Sequence, residues 1–162
     1  MPDMIVNLYD LASVTPEVET LRTAGVTCRR AESCERSAVL AFGRQHFPAW
    51  ADETLVGFAA VPPTAYIATE AGAVLGFACY NVTRPDYFGP TGVDERQRGR
   101  GIGRVLLLQC LEALKAEGYA YAIIGGVGPA GFYEKAAGAT LMPGSEPGIY
   151  RDWLDRGEGD GA

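Results

Sequence analysis

Nine residues constrain this chain more than any others. Arg96-Gln97-Arg98-Gly99-Arg100-Gly101-Ile102-Gly103-Arg104 lies between a strand candidate, Tyr87 to Val93, and a helix candidate running from about Ile102 to Glu117. Ile102, Leu106, Cys110, Ala113 and Leu114 form one apolar stripe at helical spacing, with Arg104, Gln109, Glu112 and Lys115 largely opposite. Four of the chain's 14 basic residues fall in these nine positions, a local cationic focus. The glycines strip side chains from the turn into the helix, so the unpaired N–H groups of its first turn can approach a ligand. A helix N-terminus carries about half a positive charge. Bare amides, dipole and arginines together predict an anion site, and phosphate is the best match.

The spacing narrows the kind of phosphate ligand. A Walker A loop needs G-x-x-x-x-G-K-[ST], and no lysine stands here, which argues against nucleoside triphosphate hydrolysis. Gly99, Gly101 and Gly103 alternate, so they miss the G-x-G-x-x-G of a dinucleotide fold. That pattern does occur downstream, as Gly126-Val127-Gly128-Pro129-Ala130-Gly131. A dinucleotide fold also needs an acidic residue about 20 positions further on, at the end of a second strand. That position falls near Asp152, with no chain left for the rest of the sheet.

Several other chemistries are closed by counting. His46 is the only histidine, so a three-histidine metal site and H-E-x-x-H are impossible, and no metal is expected. Val39, Phe42 and His46 share helical spacing, which reads His46 as a packed helix residue. Cys28, Cys34, Cys79 and Cys110 include no C-x-x-C pair, and they read as free thiols, mostly small core residues. The opening MPDMIVNLYD has no basic region followed by a long apolar run, and no stretch approaches a membrane helix. A cytoplasmic protein with no membrane partner is the expectation. With 20 acidic residues, a net charge of −6 and 48% hydrophobic residues, the chain is an ordinary globular one, and the acidic balance argues against a nucleic-acid partner.

The remaining elements follow from local signals. Met4 to Tyr9 reads as an edge strand. Thr15-Pro16-Glu17 reads as a helix start with Thr15 as cap, and Gly25 as its stop. A strand over Val26 to Ala31 is followed by a helix opened at Ser33 and ended by Pro48. Trp50 to Pro63 is mixed. Tyr66 to Thr69 and Val74 to Asn81 read as strands around the turn Glu70-Ala71-Gly72. Pro90 and its neighbouring glycines weaken Tyr87 to Val93 and suggest a bulge at Phe88-Gly89-Pro90. After the central helix come a strand over Tyr119 to Gly126, a short helix from Gly128-Pro129 to Gly138, and short strands at Ala139 to Met142 and Ile149 to Arg151. No linker or repeat is found, so 1–156 is read as one domain and 157–162 as a flexible tail.

Two motifs now resemble a family. Arg98-x-x-Gly101-x-Gly103, continuing as Ile102-Gly103-Arg104-Val105-Leu106-Leu107, is similar to the acyl-CoA pyrophosphate loop of the GNAT superfamily of N-acetyltransferases. Gly131-Phe132-Tyr133-Glu134-Lys135-Ala136-Ala137-Gly138-Ala139 resembles that family's F-Y-x-K-x-G-F segment. They stand in family order, with a helix and a strand between. The resemblance covers Tyr66 to about Met142, while the first fifty residues match only in element order.

The resemblance implies an α/β (α+β) fold. Its central sheet is mixed and mostly antiparallel, flanked by helices, with the family's fourth and fifth strands, here Tyr87–Val93 and Tyr119–Gly126, splayed apart. It implies acetyl-CoA as co-substrate lying in the split, with backbone near Val93 pairing with pantetheine. Amides across Arg98, Gly99, Arg100, Gly101, Ile102, Gly103 and Arg104 would wrap the pyrophosphate. Tyr133 would protonate the departing thiolate, and the acceptor would be a primary amine on a small molecule or peptide. Departures are Gly126 where many members carry Asn, and Ala139 in place of the final Phe. The base is unassigned: Glu70, Asp86, Asp94 and Glu95 lie near the right elements, and each reads as a solvated carboxylate. The competing functions are a non-catalytic acyl-CoA-binding module of the same fold and a nucleotide-dependent oxidoreductase built on the downstream glycines. A homodimer stays open.

Overall fold

The computed structural model describes residues 1–152 and 154. Seven strands form one sheet in the order β2-β3-β4-β5-β6-β1-β7, with bounds β1 Met4–Asn7, β2 Thr27–Arg30, β3 Ala65–Glu70, β4 Ala73–Tyr80, β5 Tyr87–Val93, β6 Tyr121–Ile124 and β7 Thr140–Leu141. The helices are α1 Thr15–Thr23, α2 Arg36–His46, α3 Ala51–Val56, α4 Ile102–Ala116 and α5 Ala130–Ala137. Every strand pairing is antiparallel except β5 with β6. This is the mixed, mostly antiparallel sheet flanked by helices that the family resemblance implies.

The first half of the sheet follows chain order. β3 and β4 are joined by the tight turn Glu70-Ala71-Gly72, where Ala71 and Gly72 have φ of 48° and 80°, the positive values that suit a two-residue hairpin connection. The second half is assembled from distant segments. Met4 pairs with Ile124 on one side and with Leu141 on the other. The N-terminal strand is therefore interior and not the edge strand expected, and the edges are β2 and the two-residue β7. Met4 and Val6 are fully buried, and two flanking strands give both sides of β1 a partner.

α4 lies across one face of the sheet and is buried nearly all round. It packs with Met4, Val6, Ala78, Tyr80, Phe88, Ala122 and Ile124 in the larger core. The other face of β3 and β4 carries a smaller core in which Phe77 and Ile67 meet Val39 and Phe42 of α2. Cys28, Cys79 and Cys110 are buried free thiols and Cys34 is exposed. Burial pushes the Cys28 thiol up to about 11 and holds Cys79 and Cys110 protonated.

Three local expectations are corrected. α1 starts after Val14, with no side-chain cap. The Val14 N–H donates instead to Glu112 Oε1 of α4 at 2.9 Å, so a tertiary contact replaces the local cap expected from Thr15. The Ser33 start is a 3-10 turn, Ser33–Glu35, leading into α2. Ile149 to Arg151 is no strand: Gly148–Tyr150 forms a 3-10 turn. The tail 157–162, and with it the domain boundary at 156, lies outside the described residues.

Candidate active site

The site is a gap in the sheet. β5 and β6 pair only through Tyr87 with Ile123 and Phe88 with Ile124, and beyond these the two strands part. β5 diverges because of a bulge. Across from β4, Ala78 pairs with Thr91 and Tyr80 with Phe88, so β5 holds one residue more than its partner between these pairs. The extra residue falls at Gly89–Pro90, where the sequence suggested it. A one-residue insertion exchanges the faces of the strand residues beyond it. Phe88 and Val93 accordingly both pack toward the α4 core, whereas Gly92 faces Phe47, whose ring is 2.4 Å from where a Cβ would stand. Along the gap, β5 from Gly89 to Val93 has no register partner on β6.

The glycine–arginine loop closes one end. Gly99 and Gly101 have φ of 81° and 85°, and a Cβ on either would touch nothing within 4 Å. Both glycines are required by backbone conformation, and the space beside them is open. Gly101 is the left-handed N-cap of α4 and supplies no side-chain cap. The N–H groups of Ile102, Gly103 and Arg104 begin the helix, where no intrahelical acceptor exists. Gly103 sits between the lips: its Cβ position lies 3.7 Å from Val93 Cγ2 and 3.8 Å from Phe132 Cζ. Ile102 is buried and anchors the turn.

The arginines are not the bare cationic focus that the sequence suggested. Arg96 pairs with Asp94 at 2.7 Å, Arg98 with Glu95 at 3.3 Å, Arg100 with Glu70 at 2.7 Å and Arg104 with Glu17 at 3.4 Å. Asp94 also accepts the Arg96 backbone N–H. Its carboxyl is held down at about 2, first by the Arg96 guanidinium and then by that N–H. Arg104 spans to the carbonyl of Ala136 at 2.6 Å and so ties α4 to α5. The amides and the dipole are therefore the loop's uncompensated positive groups, with Arg98 the most loosely held guanidinium. Three of the four candidate bases are accounted for: Glu70, Asp94 and Glu95 are arginine partners.

Tyr133 reaches the gap from α5. Its ring makes edge contacts with Phe88, centroids 6.2 Å apart, and with Phe132 at 5.0 Å. The residue is 8% exposed, and burial raises its hydroxyl pKa, which keeps the phenol neutral. The Tyr133 hydroxyl has no hydrogen-bond partner among the described residues, and it is absent from the sealed, unpartnered atoms. It is therefore a neutral proton donor. Phe88, Tyr133, Phe132, Gly103 and Val93 thus form a continuous rim.

The opposite face carries residues that local reading missed. A Cβ on Gly125 would meet Tyr150 Oη at 2.4 Å and the Tyr87 ring at 3.1 Å, and one on Gly126 the Tyr150 ring at 3.2 Å. The aromatic ring of Tyr150 therefore occupies the space a side chain at 126 would take, which gives the glycine there a physical reason. Asp3, 5% exposed, accepts the Gly126 N–H at 2.9 Å. No local pattern marks Asp3, because only the β1–β6 register brings it beside Gly125. Asp86 precedes β5 with φ of 70°. Its Oδ1 is buried without a hydrogen-bond partner among the described residues, and burial raises its pKa. His46, its ring tilted against that of Phe42 with centroids 4.6 Å apart, instead lines an open cavity of about 460 Å³ with Gln45, Phe47, Asp94, Glu95 and Arg96. Among the described residues no group of three or more His, Cys, Asp or Glu could hold a metal, and no helix is long and apolar enough to cross a membrane.

Sheet, gap and loop together define an acetyltransferase fold, and the comparisons with known proteins agree. The family profile "Acetyltransferase (GNAT) family" matches residues 8–139, and the chain belongs to that family. In fold it is similar to a GCN5-related glucosamine N-acetyltransferase region of a fungal multidomain GH3 β-N-acetylglucosaminidase, with TM-score 0.71 and 18% identity over 87% of this chain and 19% of that one. It is also similar to a GCN5-related N-acetyltransferase from Sphaerobacter thermophilus, with TM-score 0.66 and 19% identity over 87% of this chain and 48% of that one. A GNAT family acetyltransferase from Brucella melitensis, solved with acetyl-CoA, aligns at TM-score 0.52 and 18% identity over 72% of this chain and 86% of that one. The chain spans less than half the length of the first two. Among curated proteins no sequence matches.

Proposed function

We propose that this chain transfers an acetyl group from acetyl-CoA to a primary amine by direct attack on the thioester. One observation carries the reading: a gap between β5 and β6 has an uncapped, left-handed glycine turn into α4 at one end and the neutral Tyr133 hydroxyl on its rim. In this reading the amides from Arg98 through Gly99, Arg100, Gly101, Ile102 and Gly103 to Arg104 wrap the pyrophosphate. The edge of β5 that faces the gap between Gly89 and Val93 receives pantetheine as an added strand would be received. The Brucella relative's acetyl-CoA supports the choice of co-substrate.

The chemistry follows from the placement. The amine attacks the thioester carbonyl, the C–N bond forms and the C–S bond breaks. The leaving thiolate takes the Tyr133 hydroxyl proton, which burial has kept in place. Preorganised N–H groups near Val93 stabilise the oxyanion.

Thermal shift with acetyl-CoA, CoA, NAD and ATP tests the reading. A ligand at a hundred times its Kd adds about 2.7 kcal/mol of stability. Acetyl-CoA and CoA are expected to raise Tm, with NAD and ATP without effect. A shift by NAD and none by acetyl-CoA would overturn it. Thiol release across a panel of amines then separates an enzyme from an acyl-CoA-binding module.

A further inference from the structure

We propose that Arg104 is a positioning residue of the transfer reaction: its backbone N–H belongs to the turn that takes the pyrophosphate, while its guanidinium closes the C-terminal end of α5 and so sets where the Tyr133 hydroxyl stands. The proposal rests on the acetyl-transfer reading above.

α5 is too short to fix itself. It has eight residues, and helices of that length are marginal on their own. A helix also leaves its last carbonyls without intrahelical donors. Here Gly138, with φ of 65°, turns the chain back. The Gly138 N–H then donates to the Glu134 carbonyl at 3.0 Å and the Ala139 N–H to that of Tyr133 at 3.3 Å. No N–H from the residues beyond α5 reaches the carbonyls of Lys135 and Ala136 among the described residues. Arg104 supplies the donor: its Nη1 donates to Ala136 at 2.6 Å and to Lys135 at 3.4 Å. A cation placed there also meets the negative end of the helix dipole.

The guanidinium is committed to this task. Glu17 Oε1 of α1 lies 3.4 Å from both its Nε and its Nη2, so it is held between an acid on one helix and carbonyls on another. The other arginines of the loop pair elsewhere, Arg96 and Arg98 with acids of the loop and Arg100 with Glu70 of the β3–β4 hairpin. Arg104 therefore has two separate ends: an N–H in the first turn of α4, where no intrahelical acceptor exists, and a side chain on α5.

That link reaches the acid. Lys135 and Ala136 follow Tyr133 by two and three residues, within one helical turn. The Tyr133 ring meets Phe88 and Phe132 by edge contacts, which hold its side and are only weakly directional. Hydrogen bonds to the carbonyls fix how far α5 sits along its own axis. The first turn of α4 touches α5 at the preceding residue too, since the Cβ position of Gly103 is 3.8 Å from Phe132 Cζ. A ligand seated on the α4 amides thus finds the hydroxyl at a set distance. An ångström of misplacement can cost about 10²-fold in rate.

The test uses the full chain, CoA as probe, and Arg104→Met, which keeps an apolar stem and the backbone N–H but no donor. CoA affinity by calorimetric titration should be unchanged, and in CoA-saturated protein the ring resonances of ¹³C-labelled Tyr133 should move. Neither readout needs an acceptor. Arg104→Gln, which keeps an N–H donor, should move the resonances less, and it carries the same comparison if the Met variant does not fold. With n-butylamine as acceptor, thiol release from acetyl-CoA should fall in kcat by up to about 10²-fold without a change in the KM for acetyl-CoA. On a Tyr133→Phe background the same substitution should cost nothing further, because Arg104 acts through that hydroxyl. CoA binding weakened by about tenfold or more, the size of a lost charge-assisted hydrogen bond, would make the guanidinium a phosphate ligand and overturn the proposal. So would unmoved Tyr133 resonances, which would leave α5 placed by packing alone, or a full further loss of kcat on the Tyr133→Phe background. Failure of the unsubstituted chain to bind CoA would instead overturn the underlying reading.

Discussion

The two halves of the sheet are built differently. β2 to β5 succeed one another in chain order, with α2 and α3 in the connection from β2 to β3 and short connections from β3 to β5, and with hydrophobic cores on both faces. β6, β1 and β7 are gathered from residues more than a hundred positions apart. The gap falls where the halves meet, since only Tyr87 and Phe88 stitch them together. The first half supplies the loop proposed to hold the pyrophosphate, and the second supplies Tyr133 and the Gly125–Gly126 lip. A cleft at such a seam can be shaped from each side without breaking a continuous ladder.

The contrast between the halves is sharpened most by separating chemistry from binding. Tyr133→Phe, on the second half, removes only the hydroxyl. Turnover should fall within about 10²–10⁴-fold while acetyl-CoA affinity and Tm hold, as thiol release and calorimetric titration would show. Unchanged kcat would leave Tyr133 a packing residue.

A stability contrast comes next. Val6→Ala in the interior β1 deletes two buried methyl groups and should cost about 2 kcal/mol. Thr27→Ala on the exposed edge strand β2 should stay within about 0.5 kcal/mol. Urea unfolding measures both, and equal losses would mean that β1 is an edge strand after all.

Gly101→Val, on the first half, forces a branched side chain to a φ of 85° at a strain of about 1–3 kcal/mol. CoA affinity should drop with the fold retained, the reverse of Tyr133→Phe. Full affinity in a folded variant would remove the loop from the ligand.

The smallest effect is acid sensitivity of the first half. The Glu35 carboxyl is lowered from 4.5 to about 2, chiefly by its hydrogen bonds to Arg29. A carboxyl depressed in the folded state stabilises it above its unfolded value, and that share is lost as pH falls through the folded value. Stability should therefore decline between about pH 4.5 and 2, and Glu35→Gln should flatten that part of the curve in pH-dependent melting.

Local chemistry made much of this protein legible from its residues. The apolar stripe of α4, the alternate glycines before it, the turn at Ala71–Gly72 and the bulge at Gly89–Pro90 each follow from forces acting within a few residues, and each appears where it was expected. The Arg-Gly loop and the Phe132-Tyr133 pair carry the family likeness because their chemistry is also local. Long-range pairing decided the rest. Nothing near Met4 says that it will lie between Ile124 and Leu141, so β1 read as an edge. Glu70 and Glu17 meet Arg100 and Arg104 across 30 and 87 residues, so the neutralised arginines were invisible. Asp3 and Tyr150 reach Gly125 and Gly126 only through the register of the assembled sheet. Sequence thus determined which segments could be strand, turn or anion loop, because propensity is a property of neighbours. The tertiary structure alone decided which carboxylate and which ring stand at the gap, because those contacts exist only once the two ends of the chain are paired.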